Sequence, residues 1–336
     1  MLICDCGSTK AEWVLLNGDN VAKRFITNGF NPNFNDNETI KNIVSEAKNT
    51  VGNQVVEKIH FYGSGCGSEA NQNKVAMIFA MVFKINDIEV YPDTLAACHA
   101  LFGNNPGVAC ILGTGSNACV YDGEKITQSV VSLGFMIGDE GSGCHIGKRI
   151  VHDYFLGIMP EDLRVKFDEK YHLDRETFLK NVYKGDAPSR YLAEFAKFAG
   201  ENIENQYIKT VVGNCFEEFL LSFLQTEPFS SFLQTEPFSS FRQTEPFSSF
   251  RQTEPFSSFR LERSGMEKSP ANKQLLCLNG ISPLPAVGRN DRFGFVGSIA
   301  FIFQDILLQH LENHNLTCTK ILKNPMDGLI EYYKTL

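Results

Sequence analysis

A glycine-rich turn carries the residues of this sequence that are best suited to bind a phosphate group. Residues 113–117, Gly-Thr-Gly-Ser-Asn, follow an apolar strand pattern at 108–112 and precede another at 118–121, as in a β-hairpin. Glycines at the tip allow backbone conformations and a close approach that a Cβ would prevent. The free N–H groups of such a tip, together with the hydroxyls of Thr114 and Ser116, can hold phosphate oxygens.

A second glycine-rich corner follows about twenty residues later in the chain. Residues 138–143, Gly-Asp-Glu-Gly-Ser-Gly, open a helix that we expect to start at about Cys144. Small and acidic residues at a helix start can serve only as caps. Two such corners so close in sequence favour a phosphate or polyol site over a purely structural pair of turns.

The first residues of the chain repeat the pattern of the later hairpin. A strand at 2–6 turns at residues 7–10, Gly-Ser-Thr-Lys, into a strand at 11–16, and Asp5 precedes the turn. Two hairpin tips of this kind in separate domains can hold a polyphosphate from both sides. Two ordinary hairpin turns are the alternative.

Asp93 lies between a predicted strand at 88–91 and a predicted helix at 94–102. An aspartate in this position is often an N-cap. The carboxyl ends of strands are also where α/β sheets place their ligands, so a functional role is an equal alternative.

The composition limits the classes of partner. The 336 residues suffice for two domains, and the net charge of −8 favours neither nucleic acid nor an anionic membrane. We expect no membrane span, no signal peptide and a cytoplasmic location. The ten cysteines include no CxxC pair, so zinc and iron–sulfur sites are weakly supported and free thiols in a reducing compartment fit best.

The order of predicted elements is β-β-β-α-β-α-β-α up to residue 102, and a second β-β-β series begins at 108. This indicates duplicated architecture without repeated sequence. Helices are expected over 144–223 and a single helix over 299–312. Between them, Gln-Thr-Glu-Pro-Phe-Ser-Ser-Phe occurs four times with a period of nine residues. The regular prolines predict an irregular insertion over 225–292.

Taken together, these motifs resemble the actin-like (ASKHA) kinases, and most of all the BadF/BadG/BcrA/BcrD-type ATPase family at its N-acetylglucosamine-kinase-like end. The resemblance covers residues 1–223 and 293–336. It implies an α/β, two-domain actin-like ATPase (ribonuclease H-like) fold, in which each domain is a mixed β-sheet flanked by helices. The expected domains are 1–106 and 107–336, the second interrupted by the low-complexity repeat insertion. The motifs that carry the resemblance are Asp5-Cys6-Gly7-Ser8-Thr9-Lys10, Asn28-Gly29-Phe30-Asn31-Pro32, Tyr62-Gly63-Ser64-Gly65-Cys66, Asp93, Gly113-Thr114-Gly115-Ser116-Asn117, Gly138-Asp139-Glu140-Gly141-Ser142 and Phe295-Val296-Gly297-Ser298.

The resemblance implies ATP and Mg²⁺ as cofactors, a small sugar as substrate, and phosphorylation of an amino sugar, with N-acetylglucosamine the expected one. Asp93 would be the catalytic base and Asp5 would lie next to Mg²⁺. A homodimer is compatible with it. The implied nucleotide contacts are Gly7, Ser8, Thr9, Lys10, Gly113, Thr114, Gly115, Ser116, Asn117, Gly297 and Ser298, and the implied sugar contacts are Asn31, Asp93, Gly134 and Asp139.

Two departures from the family pattern leave other functions open. About 70 residues separate the helix that ends near Phe223 from the strand at Phe295, where related kinases have a short link, and the sugar-loop tryptophan is absent near 133–135. One alternative is an ATPase that activates a dehydratase or reductase, in which Cys66 and Cys98 are the candidate cluster ligands. Another is a non-catalytic or inactivated sugar-binding homologue.

Overall fold

The computed structural model describes residues 1–8, 10–224 and 292–335, and for Arg292 the backbone only. The predicted phosphate contact at Thr9 and the predicted irregular insertion therefore lie outside the described residues.

The first sheet has five strands: β1 (Leu2–Cys6), β2 (Lys10–Asn17), β3 (Asn20–Asn28), β4 (Ile59–Gly63) and β5 (Ile88–Pro92). Their order in the sheet is β3-β2-β1-β4-β5. The hairpin strands β1, β2 and β3 are antiparallel, and β1, β4 and β5 are parallel. Helix α1 (Asn37–Val51) connects β3 to β4, and helix α2 (Glu69–Phe83) connects β4 to β5. The apolar faces of both helices pack in the same buried cluster as Leu2, Cys4 and Trp13.

The second sheet repeats this topology. Its strands are β6 (Gly107–Leu112), β7 (Ser116–Tyr121), β8 (Ile126–Ser129), β9 (Arg292–Val296) and β10 (Thr317–Leu322), in the order β8-β7-β6-β9-β10. The predicted duplication of architecture is therefore confirmed. The chain is an α/β protein with two mixed sheets flanked by helices.

Helices surround the second sheet. They are α4 (Gly143–Phe155), α5 (Glu161–Tyr171), α6 (Arg175–Lys184), α7 (Pro188–Glu194), α8 (Ala196–Glu201), α9 (Gln206–Leu224), α10 (Ser298–Ile302) and α11 (Gln304–Asn313). The predicted single helix over 299–312 was wrong, because the helical path breaks at the buried Phe303. No helix in the described ranges is long and apolar enough to span a membrane.

Two helices connect the sheets. Helix α3 (Asp93–Phe102) starts at the end of β5 and packs its buried Cys98 and Leu101 against Ala109 of β6 and Cys119 of β7. The last helix, α12 (Met326–Lys334), follows the second sheet in sequence but packs on the first, since Leu329 shares a buried cluster with residues of β1, β2 and α3. The domain bounds 1–106 and 107–336 stay a prediction.

The two described ends of the chain at the insertion lie side by side. Phe223, in the last turn of α9, and Phe293, in β9, are both buried, and their ring centroids are 6.0 Å apart. The two points of the second half between which the insertion lies in sequence are therefore close together in space.

Candidate active site

Three parallel strands of the first sheet end at the same level. Cys6 pairs with Gly63, and Gly63 pairs with Pro92, so the carboxyl ends of β1, β4 and β5 are in register. Asp5 lies one residue before the end of β1, and Asp93 follows the last residue of β5. The two predicted carboxylates therefore lie on one edge of the sheet, where α/β proteins bind ligands.

Asp93 does not act as a helix cap. It is the first residue of α3, the N-cap position is Pro92, and no side chain caps this helix. The Asp93 carboxylate instead accepts a hydrogen bond from Ser64, with 2.7 Å between Oγ and Oδ2. The capping alternative for Asp93 was wrong, which leaves its carboxylate available for chemistry.

Asp5 is held in an unfavourable electrostatic environment. The pKa of its carboxyl is raised from 3.8 to about 7, first by burial and then by the nearby charges of Asp93 and Glu12, while Lys10 opposes the shift. The charge of Asp93 is therefore close enough to Asp5 to disfavour a second negative charge there. A divalent cation bound here would relieve that repulsion.

Asn31 reaches the same edge through the loop that follows β3. A Cβ built on Gly65 would lie 2.1 Å from Asn31 Oδ1, and Gly65 has a φ of +79°. Only glycine permits both this backbone conformation and this approach. The Asn31 carboxamide oxygen also accepts a hydrogen bond from the backbone N–H of Asn33 at 3.0 Å. The backbone N–H of Asn31 donates to Asn35 Oδ1 at 2.8 Å, so the position of Asn31 is well defined.

The turn of the first hairpin is open. Gly7 N donates to Lys10 O at 3.0 Å, and the side chains of Ser8 and Lys10 are exposed. Thr9, between them, is not described. In the described part of this turn, the backbone hydrogen bond from Gly7 to Lys10 fixes the chain, and the outer side of the turn is accessible to solvent.

The turn of the second hairpin is enclosed by the start of α4. Gly113 N donates to Gly115 O at 3.0 Å, Gly143 N to Gly113 O at 2.8 Å, and Cys144 N to Thr114 O at 3.1 Å. Ser142 is the N-cap of α4, where its side chain accepts from the backbone N–H of His145. The two glycine-rich corners found in the sequence are therefore one structural unit.

Asp139 contacts this second turn directly. Its Oδ1 accepts from Ser116 N at 3.3 Å, and a Cβ on Gly115 would lie 3.0 Å from its Oδ2. Its φ of +60° is uncommon outside glycine, and aspartate tolerates it better than most residues. Burial raises the pKa of this carboxyl, with the Ser116 N–H opposing the shift. The predicted sugar ligand and the predicted phosphate turn are thus neighbours.

Gly297 joins the same turn from β9. It has a φ of +133°, and a Cβ there would lie 2.1 Å from Leu112 O. Its N–H donates to Leu322 O at 2.9 Å. Ser298 follows as the exposed first residue of α10. The predicted adenosine corner therefore lies against the predicted phosphate turn.

Gly134 lies in the loop between β8 and α4, apart from these contacts. It has a φ of +71° and accepts from Gly138 N at 2.8 Å, and a Cβ there would meet no atom within 4 Å. Lys148 anchors this loop, because its Nζ donates to Phe135 O at 2.7 Å. The loop borders a cavity of about 310 Å³ whose lining includes Asn117, Leu133, Asp139, Phe219 and Phe223.

Ser64, Gly65 and Lys148 were not predicted as site residues. Ser64 and Gly65 belong to a motif recognised in the sequence, but it carried no role for them. Their position directly after a strand parallel to β5 is the signal that could have identified them. Lys148 gave no such signal, since its contact depends on the path of a long loop.

The cysteines are arranged for packing. In the described ranges all have free thiols, and all but Cys318 are buried. Cys66 packs in the core of the first sheet, whereas Cys98 Sγ lies 3.5 Å from Cys119 Sγ beside the second sheet. Burial raises the pKa of the Cys66 thiol to about 12. Both thiols are buried within the described part of the chain.

The sequence matches the BadF/BadG/BcrA/BcrD ATPase family over residues 4–206. A crystal structure of a putative N-acetylglucosamine kinase from Porphyromonas gingivalis is 28% identical and has a TM-score of 0.78, covering 100% of this chain and 99% of that one. A second structure with the same description, from Chromobacterium violaceum, is 13% identical and has a TM-score of 0.61, covering 98% of each chain. Among curated proteins, none matches the chain significantly.

Proposed function

Because the chain belongs to the BadF/BadG/BcrA/BcrD ATPase family, we propose that it is an ATP-dependent kinase of an amino sugar, with N-acetylglucosamine as its substrate. The proposal rests on the position and contacts of the Asp93 carboxylate. Its carboxylate does not cap its own helix and lies at the same sheet edge as Asp5. The similar structure from P. gingivalis supports the choice of sugar.

In the proposed reaction, a sugar hydroxyl oxygen forms a bond to the γ-phosphorus of ATP while the bond from that phosphorus to the β–γ bridging oxygen breaks. ADP leaves and the hydroxyl proton passes to Asp93. The transition state of phosphoryl transfer is loose, so the protein contributes mainly by positioning the reactants and balancing charge. Asp93 needs only to orient the hydroxyl and accept its proton late.

Asp5 is the proposed protein contact of Mg²⁺. No group of three or more His, Cys, Asp or Glu side chains in the described ranges is arranged to hold a metal ion. This fits magnesium, which commonly uses one or two carboxylates, water and substrate phosphates. Magnesium neutralises phosphate charge in such reactions. The raised pKa of Asp5, caused first by burial and then by Asp93, indicates a carboxylate that a cation would stabilise.

The proposed binding surfaces follow from the two hairpins and the loops beside them. The turns at 7–10 and 113–117 bind the phosphates, and Gly297 and Ser298 bind the adenosine. Asn31, Gly134 and Asp139 bind the sugar. The contacts of Asp139 and Gly297 with the second turn support one continuous site in that half of the molecule.

A coupled ADP-release assay across a panel of sugars tests the proposal. We expect sugar-dependent ADP release that is highest with N-acetylglucosamine and requires Mg²⁺. N-acetylmannosamine, glucosamine and glucose are the matched comparisons, because they change one feature of the sugar at a time. Absence of sugar-dependent ADP release with every sugar would contradict the proposal and favour a non-catalytic homologue.

A further inference from the structure

The loop that follows β4 is fixed by backbone hydrogen bonds. Ser64 N donates to Cys6 O at 2.9 Å, which ties the loop to β1 next to Asp5. Cys66 N donates to Gly63 O at 3.1 Å and closes the turn. Between these bonds, the backbone of Ser64 has little freedom to move.

The side chain of Ser64 is directed at Asp93 from this anchored backbone. Its hydroxyl donates to Asp93 Oδ2 at 2.7 Å, a short distance typical of a hydrogen bond to a carboxylate. In the described ranges this is the only side-chain hydrogen bond to Asp93. The bond engages one carboxylate oxygen and leaves Oδ1 for a ligand. It also opposes rotation of the carboxylate about its χ angles.

We propose that Ser64 is the positioning residue for the base, and that its hydroxyl holds Asp93 Oδ1 in the orientation that accepts the sugar proton. This inference rests on the proposed function. Ser64 does not touch the reacting atoms in this scheme and acts through Asp93. A base that is held in place needs less reorganisation as the hydroxyl attacks, so the effect belongs in kcat more than in sugar binding.

Three variants test the role with N-acetylglucosamine and MgATP. Ser64→Ala should lower kcat about 10- to 100-fold, the scale of a misoriented catalytic group, with little change in the KM for sugar. Ser64→Thr keeps a hydroxyl and should restore most of kcat. Ser68→Ala is the control, because Ser68 caps α2 from the same loop without contacting Asp93. It should lower the melting temperature and leave kcat unchanged.

A double-mutant cycle separates this role from the proposed function. Ser64→Ala combined with Asp93→Asn should be no slower than Asp93→Asn alone, since the hydroxyl acts through the carboxylate. Parental kcat in Ser64→Ala, alongside a slow Asp93→Asn, would overturn the role of Ser64 and leave the kinase proposal standing. Additive losses, or no rescue by threonine, would also overturn it. Full activity in Asp93→Asn would instead remove the base from the proposed mechanism.

Discussion

The two halves of the candidate site have the same strand topology but are held together differently. In the first half, the turn after β1 is open, and side chains and a close glycine contact around Ser64 and Gly65 bring Asp93 and Asn31 to the sheet edge. In the second half, backbone hydrogen bonds from the start of α4 and close contacts at Gly297 enclose the turn. The second half is therefore preformed by its backbone, and the first depends on individual side chains.

Among changes to the two turns, the largest effect should come from adding a methyl group to the enclosed half. Gly297→Ala would place a Cβ 2.1 Å from Leu112 O at a φ of +133°, so the backbone of the phosphate turn must move. We expect kcat/KM for ATP to fall at least about 100-fold, the loss caused by misplacing a reactant by about 1 Å. Steady-state kinetics with varied ATP measures this.

Gly7→Ala is the matched change in the open half. Its Cβ would lie 3.6 Å from Lys10 O, an ordinary contact, and Gly7 does not need a positive φ. The variant should fold normally and lose less activity than Gly297→Ala. If the alanine at Gly7 is the more damaging of the two, the contrast between an open and an enclosed turn is wrong.

The first half should also lose stability in acid, because a histidine of β4 and a histidine of α3 are buried beneath tyrosines of helix α12. His99 Nδ1 lies 2.7 Å from the hydroxyl of Tyr62, and the His60 ring lies 4.1 Å from that of Tyr333. Burial lowers the pKa of each imidazole from 6.5 to about 4. Between these values the unfolded chain binds protons that the folded chain does not. The free energy of unfolding is therefore not reduced by these histidines above about pH 6.5, and it falls as the pH decreases towards 4.

The loss should be on the order of 3 kcal/mol for each buried histidine, and urea unfolding between pH 7.5 and 4.5 measures it. His60→Gln should flatten the dependence on pH. His152→Gln is the control, since His152 lies on the exposed surface with 56% of its side chain accessible. An identical dependence on pH in the parent and in His60→Gln would show that the buried histidine does not contribute.

A smaller effect is expected from changes at Asp139. Two variants distinguish the role of its charge from that of its contact with Ser116 N. Asp139→Asn keeps an acceptor for Ser116 N and tolerates the φ of +60°, so the turn should stay in place and the KM for ATP should not change. Loss of the charged acceptor should raise the KM for sugar about 10-fold. Asp139→Ala removes the acceptor as well and should raise both constants. A rise in the KM for ATP alone in Asp139→Asn would assign this carboxylate to the nucleotide.

Removal of the repeats should have the smallest effect on stability and activity, although the repeats lie within the sequence of the second half. Phe223 and Phe293 are in contact distance of each other, so a short polar linker in place of residues 225–290 can join them. The free energy of loop closure depends weakly on loop length and changes by about 0.6 kcal/mol for each doubling of the number of residues. The shortened protein should melt within a few degrees of the parent, keep at least its kinase activity and aggregate less. Failure of the shortened chain to fold, when the full chain folds, would make the repeats structural.

Local patterns in the sequence were enough to predict most of the described strands, both hairpins and the strand-end position of Asp93, although no range was predicted for β8. Alternating apolar residues and glycine-rich turns are short-range signals, and they were read correctly. The contact of Asp139 with Ser116, the bond from Ser64 to Asp93 and the return of α12 to the first sheet join residues far apart in the chain. Such contacts depend on the packing of whole elements. The break at Phe303 carried no proline or glycine signal and could not be predicted either.

If Asp93 is the base of a sugar kinase, Asp93→Asn should remove most of the phosphoryl transfer and leave the structure intact. Asparagine keeps an oxygen for the Ser64 hydroxyl, so the fold and the binding of MgATP should be unchanged, as melting curves and calorimetry will measure. The kcat for N-acetylglucosamine phosphorylation should fall about 10²- to 10⁴-fold, the scale of a positioned acid or base. A variant that binds MgATP and phosphorylates the sugar at the parental kcat would show that Asp93 is not the base.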